Sequence, residues 1–183
     1  MRIVEGIPPK GRYDIVAIDL EIIGAKRNQL HRPYGEFALA SIAVGKEVYV
    51  IRKVSDLEKA LERVDSAMWV FQNANFDVPH IRRWVDIDDR PINKFWDTLI
   101  VERILYNGYY DDFDLAAMSR RYLKTLLKKE IRKGFYDEGA AVTNEMIKYG
   151  AMDAYATRQI APLQMAILDQ RPDAKKVWEW IDG

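Results

Sequence analysis

The stretch that decides the fold is Val16-Ala-Ile-Asp-Leu-Glu-Ile-Ile-Gly24, an apolar run that predicts a buried strand and is interrupted by two acids. Asp19 and Glu21 are two residues apart, so on a strand both side chains point to one face while Leu20 points to the other. Two like charges side by side are costly unless a cation lies between them, and carboxylate oxygens are preferred ligands of divalent cations such as Mg²⁺. The pair predicts either two solvated acids at a strand end or part of a metal site.

Length and composition indicate one globular domain. The chain has 183 residues, of which 49% are hydrophobic and 31% charged, which favours a single domain over residues 1–183 with a core at about 13–168 and a short terminal helix at 173–181. No apolar run approaches the ~18 residues that span a bilayer, and no secretory signal is apparent. Cysteine is absent, which excludes disulfides and thiolate metal sites. We therefore expect a cytoplasmic, intracellular protein with no membrane partner.

The charge balance argues against a broad basic surface. Lys and Arg total 28, as do Asp and Glu, so the formal net charge is zero, whereas proteins that bind nucleic acid over a large surface are often strongly basic. This balance does not argue against an enzyme that grips only the end of a strand. Most of the five Trp and ten Tyr are expected in the core, with a few available to stack on bases.

Hydrophobic patterning predicts strands before helices. After a loop over residues 1–12, we expect strands at about 13–21, Glu36–Val44, Glu47–Ile51, 67–71 and 91–95. Only Gly45-Lys46 separates the second strand from the third, so these two are expected to pair antiparallel. The order predicts an α/β fold with a mixed β-sheet of about five strands, the first three antiparallel, flanked by α-helices.

Capping residues and prolines delimit the predicted helices. We expect helices at 55–64, from Asn75 or Phe76 onward, at 96–106, after Asp112 or Asp114, at 143–168 and at 173–181. Ser55 and Glu58 fit a capping box. Pro79 is tolerable in the first turn of its helix, and Pro162 should kink or divide the long one. Asp77 then lies in a first helical turn, where a carboxylate can simply stabilise the helix dipole or serve a site.

Two basic segments have two interpretations each. Residues 22–35 are predicted to form a basic loop, and residues 120–133 contain seven Lys or Arg. Charged loops and helix faces are usually solvated. The alternative is contact with the phosphates of a nucleic acid, because the first segment leaves directly from the paired acids.

Three motifs follow one another along the chain: Asp19-Leu-Glu21, Asn73-Ala-Asn-Phe-Asp77 and Tyr149-Gly-Ala-Met-Asp153. In this order they resemble the three exonuclease motifs of the DEDDy superfamily. That superfamily includes ribonuclease D and the proofreading 3′–5′ exonuclease domain of family A DNA polymerases (DNA polymerase I type), and the proofreading type is the more similar. The resemblance implies an RNase H-like fold and a 3′–5′ exonuclease, a hydrolase that cleaves phosphodiester bonds.

The sequence between the motifs also resembles this family. Residues 95–98 and 113–123 are similar to the segment that the family carries between its second and third motifs, so the similarity covers about residues 15–164. One departure follows the first motif, where the proofreading family commonly has Thr and this chain has Ile22 and Ile23.

The resemblance implies that four carboxylates hold two divalent ions, Mg²⁺ or Mn²⁺. Asp19 would bridge the two ions, and Asp77 would help position the second. Glu21 and Asp153 would complete the more tightly held site. Ions about 4 Å apart can clamp the attacking and leaving oxygens of a displacement at phosphorus. Tyr149 would orient the attacking water, because a hydroxyl with a pKa near ~10 is a poor base, and nucleoside 5′-monophosphates would leave from the 3′ end.

The resemblance also implies contacts with substrate. The terminal nucleotide would meet Gln72, Asn73, Phe76 and Leu20, although Phe76 also fits the core, and His80 is expected to be helix surface or packing. The expected substrates are single-stranded DNA or frayed 3′ ends, in DNA replication or repair, with RNA as the alternative of ribonuclease D type. A DNA polymerase domain or a replication protein is an expected partner.

Two other classes of function fit less of the sequence. One is a catalytically inactive, exonuclease-like module that binds nucleic acid, and the other is a purely structural α/β domain. The set of candidate ligands discriminates between these and the enzyme, because neither alternative requires four acids and a tyrosine at the motif positions.

Overall fold

The computed structural model describes residues 1–24, 35–87, 95–127, 135 and 141–182. The strands are β1 (Arg2–Glu5), β2 (Ile15–Ile23), β3 (Glu36–Val44), β4 (Glu47–Ile51), β5 (Met68–Phe71) and β6 (Phe95–Asp97). The helices are α1 (Val54–Arg63), α2 (Ala74–Trp84), α3 (Thr98–Tyr106), α4 (Leu115–Met118), α5 (Asn144–Asp169) and α6 (Pro172–Asp182), and a π-helical turn, Ser119–Leu123, continues α4.

The described strands form one mixed sheet in the order β1-β4-β3-β2-β5-β6. β3 runs antiparallel to β2 and β4, whereas β1 with β4, β5 with β2 and β6 with β5 are parallel pairs. The α/β class and the three antiparallel strands are thereby confirmed. The prediction of a loop over residues 1–12 is wrong for β1, because its four residues are too few to show a period and gain their hydrogen bonds from β4.

Helices cover both faces of the sheet. On one face Val16, Ile18 and Leu20 of β2 pack with buried residues of α1 and α2. On the other face Ala17 and Ile23 pack with buried residues of α3 and α5. The alternation along β2 follows the period of two that a strand imposes. The result is a three-layer fold with β2 at its centre, which places the two acids of β2 on the α5 face.

Several helix boundaries differ from the predicted ones. α1 begins at Val54 and its N-cap, Lys53, forms no side-chain cap, so the predicted capping box at Ser55 is wrong. α2 begins at Ala74, which puts Pro79 inside the helix rather than in its first turn. α3 begins at Thr98 rather than at residue 96, because the two preceding residues belong to β6.

The last two helices agree with the sequence pattern in extent. Thr143 caps α5 through the amide of Met146, and the helix continues to Asp169 without being divided at Pro162. α6 forms where the terminal helix is expected. None of the helices in the described ranges is long and apolar enough to cross a membrane.

Parts of the predicted basic segments and of the strand at 91–95 lie outside the described residues, namely 25–34, 91–94 and 128–133. Within the described part of the second segment, Arg120 is exposed. Arg121 instead forms an ion pair with the buried Glu102 at 2.9 Å. The interpretation of this segment as a uniformly solvated face is therefore wrong at Arg121.

Candidate active site

The order of the strands changes direction between β2 and β5. From β2 the chain continues to β3 on one side, whereas β5 and β6 lie on the other. In open α/β sheets, ligands bind beyond the carboxyl ends of the strands at such a switch point. Asp19 and Glu21 lie in the C-terminal half of β2, and residues 72–77 follow the C-terminal end of β5. The first two motifs therefore meet at this edge of the sheet.

A hydrogen bond joins the second motif to the first. β5 pairs with β2 only as far as Ala17, which leaves the later amides on that side of β2 to other acceptors. The carboxylate of Asp77, which is 2% exposed, accepts the amide proton of Leu20 at 2.9 Å. Because buried amides must be paired, this bond fixes Asp77 beside the two acids of β2. Asp77 lies in the first turn of α2, as the sequence predicts.

The third motif lies on α5, over the face of β2 that carries Asp19 and Glu21. A Cβ atom built on Gly150 would lie 3.1 Å from Leu39 Cδ1, 3.3 Å from Ser41 Oγ and 3.5 Å from Glu21 Cγ. Leu39 and Ser41 are the β3 residues that pair with Glu21 and Asp19. The small residue expected to permit close packing therefore brings the backbone of α5 directly against the Asp-Leu-Glu stretch.

Tyr149 connects three of the carboxylates. Its hydroxyl donates a hydrogen bond to Asp153, one helical turn further along α5. Burial raises the pKa of the Tyr149 phenol far above its usual value, and the negative charges of Asp153, Glu21 and Asp19 raise this pKa further. The phenol therefore lies in the field of three acids that come from two elements far apart in the sequence.

The donor set fits a hard divalent cation. It consists of carboxylate oxygens, which Mg²⁺ and Mn²⁺ prefer, and like charges gathered in a partly buried cleft repel one another until a cation is bound. In the described part of the chain, no three His, Cys, Asp or Glu side chains have the spacing of a metal site. Asp153 accepts a hydrogen bond from Tyr149, and this bond competes with a cation for the same carboxylate.

The predicted substrate-contacting residues lie around the same edge. Gln72 and Asn73 are half-buried at the C-terminal end of β5. The ring of Phe76 is half-buried and stacks on His80, with 4.7 Å between ring centroids. The Leu20 side chain is 2% exposed and packs in the core. The part of Leu20 that lies at the site is its backbone amide, which donates to Asp77. The structure thus brings Gln72, Asn73 and Phe76 next to Asp77.

Two features beside the site had no signal in the sequence pattern. The carbonyl of Phe135 accepts the amide proton of Gly24 at 3.1 Å, and its ring lies 6.3 Å from that of Tyr149. A β-bulge follows Glu21, because Ile22 pairs with Phe37 rather than with the next residue in register. Bulges next to sites re-aim side chains. Both features depend on long-range contacts that no local motif encodes.

Substitution Gly150→Ala is expected to lower activity more than stability. Alanine favours a helix by about 1 kcal/mol over glycine, but its Cβ would press on Leu39 at 3.1 Å and lift Tyr149 away from Glu21. We expect at least a tenfold loss of nuclease rate with a change of about 1 kcal/mol or less in the free energy of unfolding.

The matched control for Gly150→Ala is Gly108→Ala, where an added Cβ meets no atom within 4 Å. Gly108 has a φ of 84°, so this control is expected to destabilise the fold slightly without slowing the enzyme. Single-turnover rates and urea unfolding of the two variants make the comparison. An unchanged rate in Gly150→Ala would contradict the close approach described above.

A family model described as a 3′–5′ exonuclease, of the DNA polymerase A type, matches residues 10–165. The sequence matches no curated protein. Among solved structures, Brucella melitensis NrnC with bound Mg²⁺ is similar with a TM-score of 0.72 and 18% identity, over 99% of this chain and 89% of that one.

Two further structures share the fold. Escherichia coli RNase D, an exoribonuclease involved in structured RNA processing, has a TM-score of 0.66 and 18% identity over 93% of this chain and 44% of its own. The catalytic core of RRP6 from Trypanosoma brucei has a TM-score of 0.68 and 18% identity over 93% of this chain and 46% of its own. The family match spans all three motifs, and the chain therefore belongs to the 3′–5′ exonuclease family of hydrolytic, divalent-metal-dependent nucleases with an RNase H-like fold.

Proposed function

We propose that this enzyme removes nucleotides one at a time from single-stranded or frayed 3′ ends and releases nucleoside 5′-monophosphates, using two divalent ions. One observation carries the proposal: Asp19, Glu21 and Asp153 act electrostatically on a single phenol, Tyr149. A structural domain has no reason to gather acids in this way, since their mutual repulsion opposes folding.

The four carboxylates have distinct places in the proposed site. Asp19 and Glu21 share one face of β2 and would hold the ions from the sheet, while Asp153 would hold them from α5. Asp77 is anchored to the Leu20 amide by one oxygen, which holds it beside the other acids, where it would help position the second ion. Bound ions would supply Lewis-acid stabilisation at phosphorus and a water of lowered pKa.

Tyr149 would orient the attacking water by a hydrogen bond rather than act as a base. Its phenol keeps its proton, because burial and the neighbouring acids hold its pKa high, so it donates a hydrogen bond rather than removing a proton. With Asp153 holding an ion, the Tyr149 hydroxyl would donate its hydrogen bond to the attacking water and hold it in line with the terminal phosphodiester. Orientation of this kind lowers a barrier without a change in protonation.

Both DNA and RNA are supported as substrates. The DNA polymerase A type of the matching family favours DNA, and the fold shared with RNase D, an exoribonuclease, favours RNA. The four carboxylates and Tyr149 would meet metal and phosphate rather than the sugar 2′-position, so the chemistry proposed is the same for DNA and RNA.

The test is degradation of matched oligonucleotides. Single-stranded DNA and RNA of one sequence, labelled at the 5′ end, are incubated with the protein and Mg²⁺ or Mn²⁺, with and without EDTA. We expect a ladder that shortens from the 3′ end and disappears in EDTA. The substrate degraded faster identifies the preferred sugar, and an oligonucleotide with a blocked 3′ end should resist.

The reaction products distinguish the proposed mechanism from the mechanisms of other nucleases. Chromatography should show nucleoside 5′-monophosphates from the first minutes of the reaction. Internal fragments, 3′-phosphates or activity in EDTA would overturn the proposed mechanism. A folded protein that binds Mn²⁺ but degrades neither substrate would instead support the binding module considered above.

A further inference from the structure

Asp97 accepts hydrogen bonds from the first turns of two different helices. One carboxylate oxygen accepts the amide protons of Leu99 at 2.9 Å and Ile100 at 3.4 Å, which caps α3. The same carboxylate accepts the amide protons of Asn73 at 3.1 Å and Ala74 at 2.8 Å, where α2 begins. The side chain is 4% exposed. A buried carboxylate that accepts several amide protons holds the groups around it firmly in place. We call Asp97 and the four amides that donate to it the joint between α2 and α3.

The N-cap residue of α2 does not cap the helix through its own side chain. Asn73, the N-cap of α2, has a φ of 73° and makes no side-chain cap. A non-glycine residue in the left-handed region is strained unless its surroundings hold it there. The bonds from Asn73 and Ala74 to Asp97 supply that restraint. They also explain why α2 begins earlier than its sequence pattern predicts.

The orientation of α2 decides where the carboxylate of Asp77 lies. Asp77 is only three residues beyond Ala74, within the same first turn. Its oxygen must lie 2.9 Å from the Leu20 amide. A small rotation of the helix start would break this bond, because hydrogen bonds weaken steeply with misalignment.

We propose that Asp97 is a positioning residue of the nuclease site, which sets the entry angle of α2 so that Asp77 meets β2 beside Asp19 and Glu21. Asp97 itself touches neither substrate nor metal. It acts through the backbone of Asn73 and Ala74, as outer-shell partners of metal ligands commonly do. Thr98 adds to the joint, since its hydroxyl donates to the carbonyl of Phe71 at 3.1 Å at the end of β5.

The competing explanation is that Asp97 is only the cap of α3. Substitution Asp97→Ser separates the two roles, because serine caps helices well but its single short hydroxyl cannot also reach the start of α2. The matched control is Asp114→Ser. Asp114 caps α4 by accepting the amide proton of Ala117 at 2.8 Å, and α4 carries none of the predicted ligands.

The first readout is amide hydrogen exchange in metal-free protein. In Asp97→Ser we expect the Leu20 amide to exchange at least tenfold faster relative to amides in the centre of β3, because Asp77 no longer holds it. In Asp114→Ser we expect no such change. Equal Leu20 exchange in wild type and a folded Asp97→Ser protein would overturn the proposal, as would equal acceleration in both variants.

The second readout is the affinity for Mn²⁺, measured by calorimetry, and this part rests on the proposed function. We expect the dissociation constant to rise about tenfold or more in Asp97→Ser and to stay unchanged in Asp114→Ser. If wild type itself binds no Mn²⁺, the proposed function fails while Leu20 exchange still decides the role of Asp97. If Asp97→Ser does not fold, the isosteric Asp97→Asn, which loses an acceptor facing Ala74, takes its place in both measurements.

Discussion

An Asp19→Asn variant is expected to lose nuclease activity by about 10³-fold or more while its metal-free form stays folded. The substitution keeps the shape of the side chain but removes the negative charge that faces Tyr149. A single group aimed at charge in a transition state is commonly worth 10²–10³-fold, and Asp19 is proposed to touch both ions. Single-turnover cleavage of a 5′-labelled oligonucleotide measures the loss.

The stability of this variant should change in the direction opposite to its activity. In metal-free wild type, Asp19 adds one more like charge to a cluster that already includes Glu21 and Asp153. Removing it relieves repulsion, so the free energy of unfolding should be equal to or higher than that of wild type. Saturating Mg²⁺ should raise the melting temperature of wild type by mass action and raise that of the variant much less.

The matched control for Asp19→Asn is Asp65→Asn, the same change at an exposed acid between α1 and β5. This control should keep wild-type activity and the wild-type response of melting temperature to Mg²⁺. An Asp19→Asn protein within tenfold of the wild-type rate would refute the placement of Asp19 at the reacting centre. A variant that is inactive because it is unfolded would show as a lost melting transition without metal.

The sequence is informative where structure is local. The bounds of β3 and β4 agree with the predicted apolar runs and the turn between them, because both strands are buried almost continuously in the core. Asp19 and Glu21 share a face because the strand period requires it, and Tyr149 and Asp153 share one because the helix period does. The resemblance of the three motifs to those of the exonuclease family then predicts that these two pairs lie in one site.

The sequence does not predict hydrogen bonds between segments that are far apart in the chain. Nothing local to Asp97 indicates that its carboxylate also holds the start of α2, 23 residues earlier in the chain. The same holds for β1, whose hydrogen bonds come from β4. The position of Asp77 on the Leu20 amide, 57 residues away, also follows only from the assembled sheet. In each case the acceptor of a backbone amide is determined by the folded arrangement of the chain, and the periodicity of the sequence carries no information about it.

Substitution Tyr149→Phe is expected to reduce kcat by about 10²-fold and to leave KM and Mn²⁺ affinity within a few-fold of wild type. The change removes one hydroxyl and keeps the ring that packs near Phe135. Loss of an orienting or proton-handling group typically costs 10²–10⁴-fold in rate, and orientation alone belongs at the lower end. Steady-state kinetics on the preferred oligonucleotide, with calorimetry for the metal, measures both parts.

Tyr122→Phe is a closely matched control. The Tyr122 hydroxyl donates to Glu102 at 2.6 Å, and burial together with Glu102 raises the pKa of this phenol far above its usual value. Tyr122 and Tyr149 are therefore both half-buried phenols bonded to a carboxylate, and only Tyr149 also faces Asp19 and Glu21. Removing the Tyr122 hydroxyl leaves Glu102 with fewer donors and should lower the free energy of unfolding by about 1–3 kcal/mol.

The two tyrosine variants should therefore differ in rate. Tyr149→Phe should be slow, because the attacking water loses the hydroxyl that orients it, and it should be less stable than wild type without metal, because Asp153 loses a hydrogen-bond donor. Tyr122→Phe should be less stable and, well below its melting temperature, as fast as wild type. If both variants lose stability and neither loses kcat, Tyr149 is a core residue whose hydroxyl only pairs with Asp153, and the attacking water must be oriented by the carboxylates alone.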